Sequence, residues 1–129
     1  MRAPNFPFEM IRSELEEVVG AAHIDVDETN RLVYSTDWSW MPQMWLDRGQ
    51  RLPTPDYIVH PANAQEISDI MRIANKYRIP VIPWGGGSGT QGGAAPVFGG
   101  IILDATLSTK RHKTFRFGNN WVTLGLIVE

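Results

Sequence analysis

Val81-Ile82-Pro83-Trp84-Gly85-Gly86-Gly87-Ser88-Gly89-Thr90-Gln91-Gly92-Gly93 decides how this chain is read. Six of these thirteen residues are glycine, and they follow directly on the apolar run Ile79 to Ile82. A residue without Cβ turns with positive φ at little cost and lets backbone approach a ligand closely. Successive N–H groups turned inward make a concave cradle for an anion, and the usual biological anion is a phosphate. The stretch therefore predicts phosphate or dinucleotide binding.

Two familiar phosphate motifs are tested on the letters. Gly87-Ser88-Gly89-Thr90-Gln91-Gly92 fits G-x-G-x-x-G, which requires a helix starting inside it and an acidic residue about 20 positions on. Asp104 closes the apolar run Ile101-Ile102-Leu103, but Gly93 to Gly100 reads GAAPVFGG and leaves no room for an amphipathic helix. The nucleotide-triphosphate loop fails as well, since no Lys followed by Ser or Thr closes the glycines. A flexible linker is polar on both flanks, whereas this loop joins two strand-like runs, IPVI and IILD.

Outward from the loop, Tyr57 to His60 reads as a short buried strand ended by Pro61. Asn63 with Glu66 forms a variant capping box. Ile67, Ile70, Met71, Ala74 and Tyr77 then put an apolar stripe on one helix face. With Ile79 to Ile82 as the next strand, this is a β-α-β unit with parallel strands, and the glycine loop leaves the carboxyl end of one of them. Ile101 to Leu103 adds a further strand.

Upstream, Phe8, Ile11, Leu15, Val18 and Val19 recur at helical spacing, with Gly20 placed to stop the helix. A short helix near Asp27 carries Leu32 and Val33. Asp37 to Pro55 shows little periodicity and is expected to be a long loop. Downstream, Ser108 to Lys113 is polar and basic, and Thr114 to Phe117 and Trp121 to Leu124 read as two strands around a Gly118-Asn119-Asn120 turn. The apolar end at Glu129 suggests a fragment. The expected fold class is α+β, divided into residues 1–54, with helices and a Trp-rich loop, and 55–129, with the β-α-β core.

Composition narrows the function classes. The 129 residues are 43% hydrophobic and 20% charged, with a formal net charge of −2, so no basic stripe invites nucleic acid. No cysteine is present, which excludes disulfides, thiolate metal sites and Cys nucleophiles and fits a cytoplasmic origin. No stretch is long and apolar enough to read as a transmembrane span.

The order PDYIVHP, ANAQEISDIMRIANKYRIPVIP, WGGGSGTQGG, AAPVFGGIILD closely resembles the first subdomain of the vanillyl-alcohol-oxidase-type, or PCMH-type, FAD-binding domain. The nearest likeness is to the glycolate oxidase subunit, D-lactate dehydrogenase and alkyl-dihydroxyacetone-phosphate synthase branch, over roughly Tyr34 to Asp104. The resemblance implies FAD as cofactor. It implies that Gly85, Gly86, Gly87, Ser88, Gly89, Thr90, Gln91, Gly92 and Gly93 hold the pyrophosphate through backbone N–H groups. It implies oxidation of a 2-hydroxy acid by the flavin. The family's second FAD subdomain and substrate cap are missing, which predicts a truncated chain, inactive alone, or a half-domain that associates with a downstream polypeptide. Covalent flavin attachment near the loop uses a histidine in this family; Ser88 stands in the loop here, and no His lies between His60 and His112.

No catalytic residue and no metal ligand is assigned. His23, His60 and His112 lack ligand spacing. Asp37 and Asp104 have no evident partner, and Asp104 is expected to cap a strand end. The cluster Trp38 to Leu46 is expected mainly to pack.

Overall fold

Ile101-Ile102-Leu103-Asp104 is a continuous run with no polar alternation, as expected of a strand covered on both faces, and it forms the centre of the sheet. The computed structural model describes residues 7–106 and the backbone of 114–117 and 120–123. In chain order the elements are α1 (Phe8–Val19), a 3₁₀ turn (Ala21–His23), β1 (Ile24–Asp25), α2 (Glu28–Val33), α3 (Trp40–Asp47), β2 (Tyr57–Val59), α4 (Ala64–Tyr77), β3 (Val81–Trp84), β4 (Ile101–Asp104), β5 (Thr114–Phe117) and β6 (Asn120–Thr123). The main sheet has the order β1-β2-β4-β3; β5 and β6 pair antiparallel as a separate ribbon.

β4 lies between β2 and β3 and runs parallel to both, with Ile58 and Ile82 each opposite Ile102. The expected parallel β-α-β unit is present, but its two strands are not neighbours: β4 is inserted between them. β1 is a two-residue antiparallel edge beside β2, extended by the His60 N–H bonded to the His23 carbonyl at 2.9 Å. Two residues carry no periodicity, so β1 was not foreseeable from the letters. The third strand begins at Val81 rather than Ile79, because the Ile79 N–H is taken by the Ala74 carbonyl at the helix exit. Pro83 is tolerated because β3 is the other edge, where a missing N–H breaks no second ladder.

The pleat divides the core. Tyr57, Val59, Ile101 and Leu103 join Ile11, Leu15, Val19, Ile70 and Ala74 in one buried cluster under α1 and α4. Ile58 and Ile102 are fully buried too, on alternate positions. The Phe8 and Tyr57 rings stack 4.7 Å apart, and Tyr57 Oη donates to the Phe8 carbonyl at 2.9 Å. Across the two helices, Glu14 accepts from Lys76 Nζ at 2.6 Å and Tyr77 Oη at 2.5 Å. These bonds hold its carboxyl below the ordinary range, outweighing desolvation.

α4 starts as expected. Asn63 Oδ1 accepts the Glu66 N–H at 3.0 Å, and Glu66 reaches back to the Ala62 N–H at 2.8 Å. Of the expected apolar stripe, Ile70 and Ala74 are buried, while Met71 is 40% exposed. Met71 lies one position round from Ile70, about 100° away on the helix, at the margin of the buried face. The helix ends at Arg78, a non-glycine residue in the left-handed region at φ 54°.

The segment expected as one long loop contains α3. Its sequence, WMPQMWLD, is apolar around most of its circumference and so carries no stripe to read. Its boundaries follow local rules nonetheless. Pro42 sits in the first turn, and Gly49 at φ 67° closes the helix with the Gln50 N–H on the Trp45 carbonyl at 2.8 Å.

Candidate functional site

β2, β3 and β4 are parallel, so their carboxyl ends, near Val59, Trp84 and Asp104, share one edge of the sheet. The loop after Trp84 crosses that edge before returning to β4. Gly87 and Gly92 adopt φ 63° and 78°, which side chains with a Cβ rarely do. Close contacts enforce the same choice. A Cβ on Gly87 would overlap the Trp84 indole, and one on Gly92 would lie 2.6 Å from the Met41 methyl.

The loop is held by its oxygens. The Gly89 carbonyl accepts from the Trp38 N–H at 3.0 Å, and the Gly92 carbonyl from the Ala95 N–H at 3.2 Å. Among the described residues no N–H from Gly86 to Gly93 donates a hydrogen bond. Nothing lies within 4 Å of where a Cβ on Gly86 or Gly93 would stand. Unpaired donors beside open space are what an anion cradle requires, and Ser88 and Thr90 add exposed hydroxyls to it. All nine residues from Gly85 to Gly93 named from sequence lie in this one segment.

Two supports fix the loop. Beneath it, the Trp84 ring packs 4.8 Å from Tyr34, whose Oη donates to Asp104 Oδ2 at 2.5 Å. His60 Nδ1 is 3.6 Å from the same oxygen. Burial, together with the Asp104 carboxylate, pushes the Tyr34 hydroxyl well above its ordinary range. Asp104 does end its strand as expected, accepting the Thr106 N–H at 2.9 Å, but it also has the partners that sequence did not show.

Beside the loop runs Asp37 to Met41. Asp37 accepts the Ser39 N–H at 3.0 Å and the Ala94 N–H at 3.5 Å. Burial acts to raise its pKa, but the Ser39 hydroxyl and the N–H groups of Ser39 and Ala94 outweigh this and hold it below the ordinary value. Asp37 thus has partners as well, and its carboxylate is turned onto the segment that braces the loop. The Trp/Met cluster packs only in part: Pro42 is buried and Met41 meets Gly92, whereas Trp38 and Trp40 are largely exposed. The pair DW in STDWSW carried no periodic signal that it would border the glycines. No group of three or more His, Cys, Asp or Glu is arranged for a metal ion among the described residues. No helix among them is long and apolar enough to cross a membrane.

The chain resembles known proteins in sequence and in fold. The family model described as an FAD binding domain matches residues 55–125, more than half of the chain. The glycolate oxidase subunit GlcD of Bacillus subtilis is 33% identical over 93 residues, covering 72% of this chain and 18% of that protein. A probable mitochondrial D-lactate dehydrogenase of Danio rerio is 38% identical over 53 residues, 41% of this chain and 11% of the relative. Among solved structures, an alkyldihydroxyacetonephosphate synthase superposes with TM-score 0.70 at 23% identity, over 92% of this chain and 22% of that one. The chain spans less than a fifth of the length of these curated relatives. It belongs to the FAD binding domain family, of the PCMH type, and its cofactor is FAD.

Proposed function

We propose that, in this member of the FAD binding domain family, Gly85 to Gly93 holds the FAD pyrophosphate. On this reading the chain is the nucleotide-holding portion of an oxidoreductase acting on a 2-hydroxy acid. The observation that carries the first part is the row of N–H groups from Gly86 to Gly93, unpaired among the described residues, at the carboxyl edge of parallel strands. The second part rests on relatives named for glycolate and D-lactate. Bound flavin supplies the two-electron redox chemistry. The protein's share is to bind and orient: Tyr34, Trp84 and Asp104 set the loop from below, and Asp37 braces it at Ala94.

The match to less than a fifth of each relative's length favours a second element of the same reading. A substrate pocket needs convergent polar groups for the substrate carboxylate, and a further polypeptide segment supplies them. Association with such a segment, rather than turnover by these residues alone, is the expected behaviour.

Gly87→Val is a poor probe of the phosphate, because the new side chain strikes Trp84 and a positive φ opposes it. Gly86→Val and Gly93→Val are the informative variants: both positions are open and neither has a positive φ. Each should unfold at the parent temperature yet lose most of its FAD affinity, read by quenching of flavin fluorescence. Parental affinity in both variants would show that the pyrophosphate lies elsewhere.

A further inference from the structure

Trp38 stands out once the loop is placed. Its backbone N–H is bonded to the Gly89 carbonyl at 3.0 Å, so its Cα is pinned at the lip of the cradle. Its neighbours are committed: Asp37 to Ser39 and Ala94, and Ser39 buried. The indole between them is 80% exposed. A large, mostly apolar ring on a backbone bonded to the loop, left in water beside N–H donors that are unpaired among the described residues, offers a face for a planar partner. The ring carries no charge and has a single N–H donor, so its flat apolar face is what it chiefly offers a ligand.

We infer that Trp38 is a further cofactor-binding residue, stacking on an aromatic ring joined to the phosphate held at Gly86 to Gly93. This rests on the loop reading above. Two rings flank the pyrophosphate of FAD, adenine and isoalloxazine, and they share the chemistry that Trp38 recognises. Base–aromatic stacking contributes about 1–3 kcal/mol per base on alanine substitution, which corresponds to roughly tenfold in affinity at 1.4 kcal/mol. Trp38 is exposed, so Trp38→Ala removes no buried packing and keeps the N–H bond to Gly89.

The test is a titration of the ¹⁵N-labelled chain with inorganic pyrophosphate, ADP and FMN, following the amides of residues 86–93 and the indole N–H of Trp38. That indole is identified by its absence in Trp38→Phe. Pyrophosphate is expected to move the loop amides and leave the indole still. ADP moves both if adenine is the stacked ring; FMN moves both if it is the flavin. Trp38→Ala should weaken that ring-bearing ligand about tenfold while leaving pyrophosphate affinity unchanged, and Trp38→Phe should restore most of the loss. If pyrophosphate binds but Trp38→Ala leaves the ADP-to-pyrophosphate and FMN-to-pyrophosphate affinity ratios unchanged, the platform is refuted and the loop reading stands. If no ligand moves the loop amides, the loop reading fails and the platform with it.

Discussion

Tyr34→Phe isolates the bond beneath the glycine loop. Phenylalanine keeps the ring that packs 4.8 Å from Trp84 and removes only the hydroxyl that donates to Asp104. Asp104 is 3% exposed, so its carboxylate loses a donor where water has little access. A hydrogen bond to a charged group contributes about 1.5–3 kcal/mol net. Tyr34 is only half-buried, so the lower end applies, about 1.5 kcal/mol. With an unfolding entropy of about 2.1 cal/mol/K per residue, a chain of this length shifts by about 4 °C per kcal/mol, giving a fall of about 6 °C. Tyr34→Leu also forfeits the ring contact and should fall further.

The alkaline limb adds a second readout. The folded pKa of Tyr34 is raised, so its contribution to stability is complete below the unfolded value of 10.0 and is lost as pH rises above it toward the folded value. The parent should therefore lose stability above pH 10, and Tyr34→Phe should lose less. Calorimetry at pH 7 and urea unfolding at pH 8 to 11 measure both. A melting temperature within 2 °C of the parent, with an unchanged alkaline slope, would refute the idea that this bond supports the loop.

The other expectations concern the supports around the site. Asp37 has a lowered pKa, so its stabilisation is present above 3.8 and disappears as pH falls through the depressed value. Asp37→Asn should be less stable at pH 7 and show a shallower acid limb in urea midpoints from pH 2 to 6; an identical limb would argue against the bracing role. Asn63→Ala removes the cap on Glu66 and should cost about 1 kcal/mol in chemical denaturation. Ile70→Asp places an unpaired charge in the core and should prevent folding by circular dichroism, whereas Met71→Asp, at a 40% exposed position, should stay within about 0.5 kcal/mol of the parent. Arg78→Gly relieves a left-handed φ of 54° and should raise stability by about 0.5–1 kcal/mol, and a loss there would mean the side chain has an unseen role.

Local rules carried much of the fold into the letters. The cap Asn63 with Glu66, the stop at Gly20, the continuous apolar run of β4 and the glycines between two strands each depend on a few adjacent residues, so each could be read without a partner in view. The expectation of a phosphate-bearing ligand came from the same source, since glycines turn with positive φ at little cost and let successive N–H groups face an anion. Tertiary structure decided the rest. β4 enters between β2 and β3, which are adjacent in sequence to the same helix, because parallel pairing is selected by burial on both faces and leaves no trace in spacing. Met71 stands at the margin of the buried face, and how far round α4 the burial reaches is set by its neighbours in space. Tyr34 meets Asp104 across 70 positions, and Asp37 meets Ala94 across 57. Such pairs have neither period nor fixed distance along the chain; they exist only once the sheet brings the carboxyl ends of its strands to one edge and the 34–41 segment closes against the glycines.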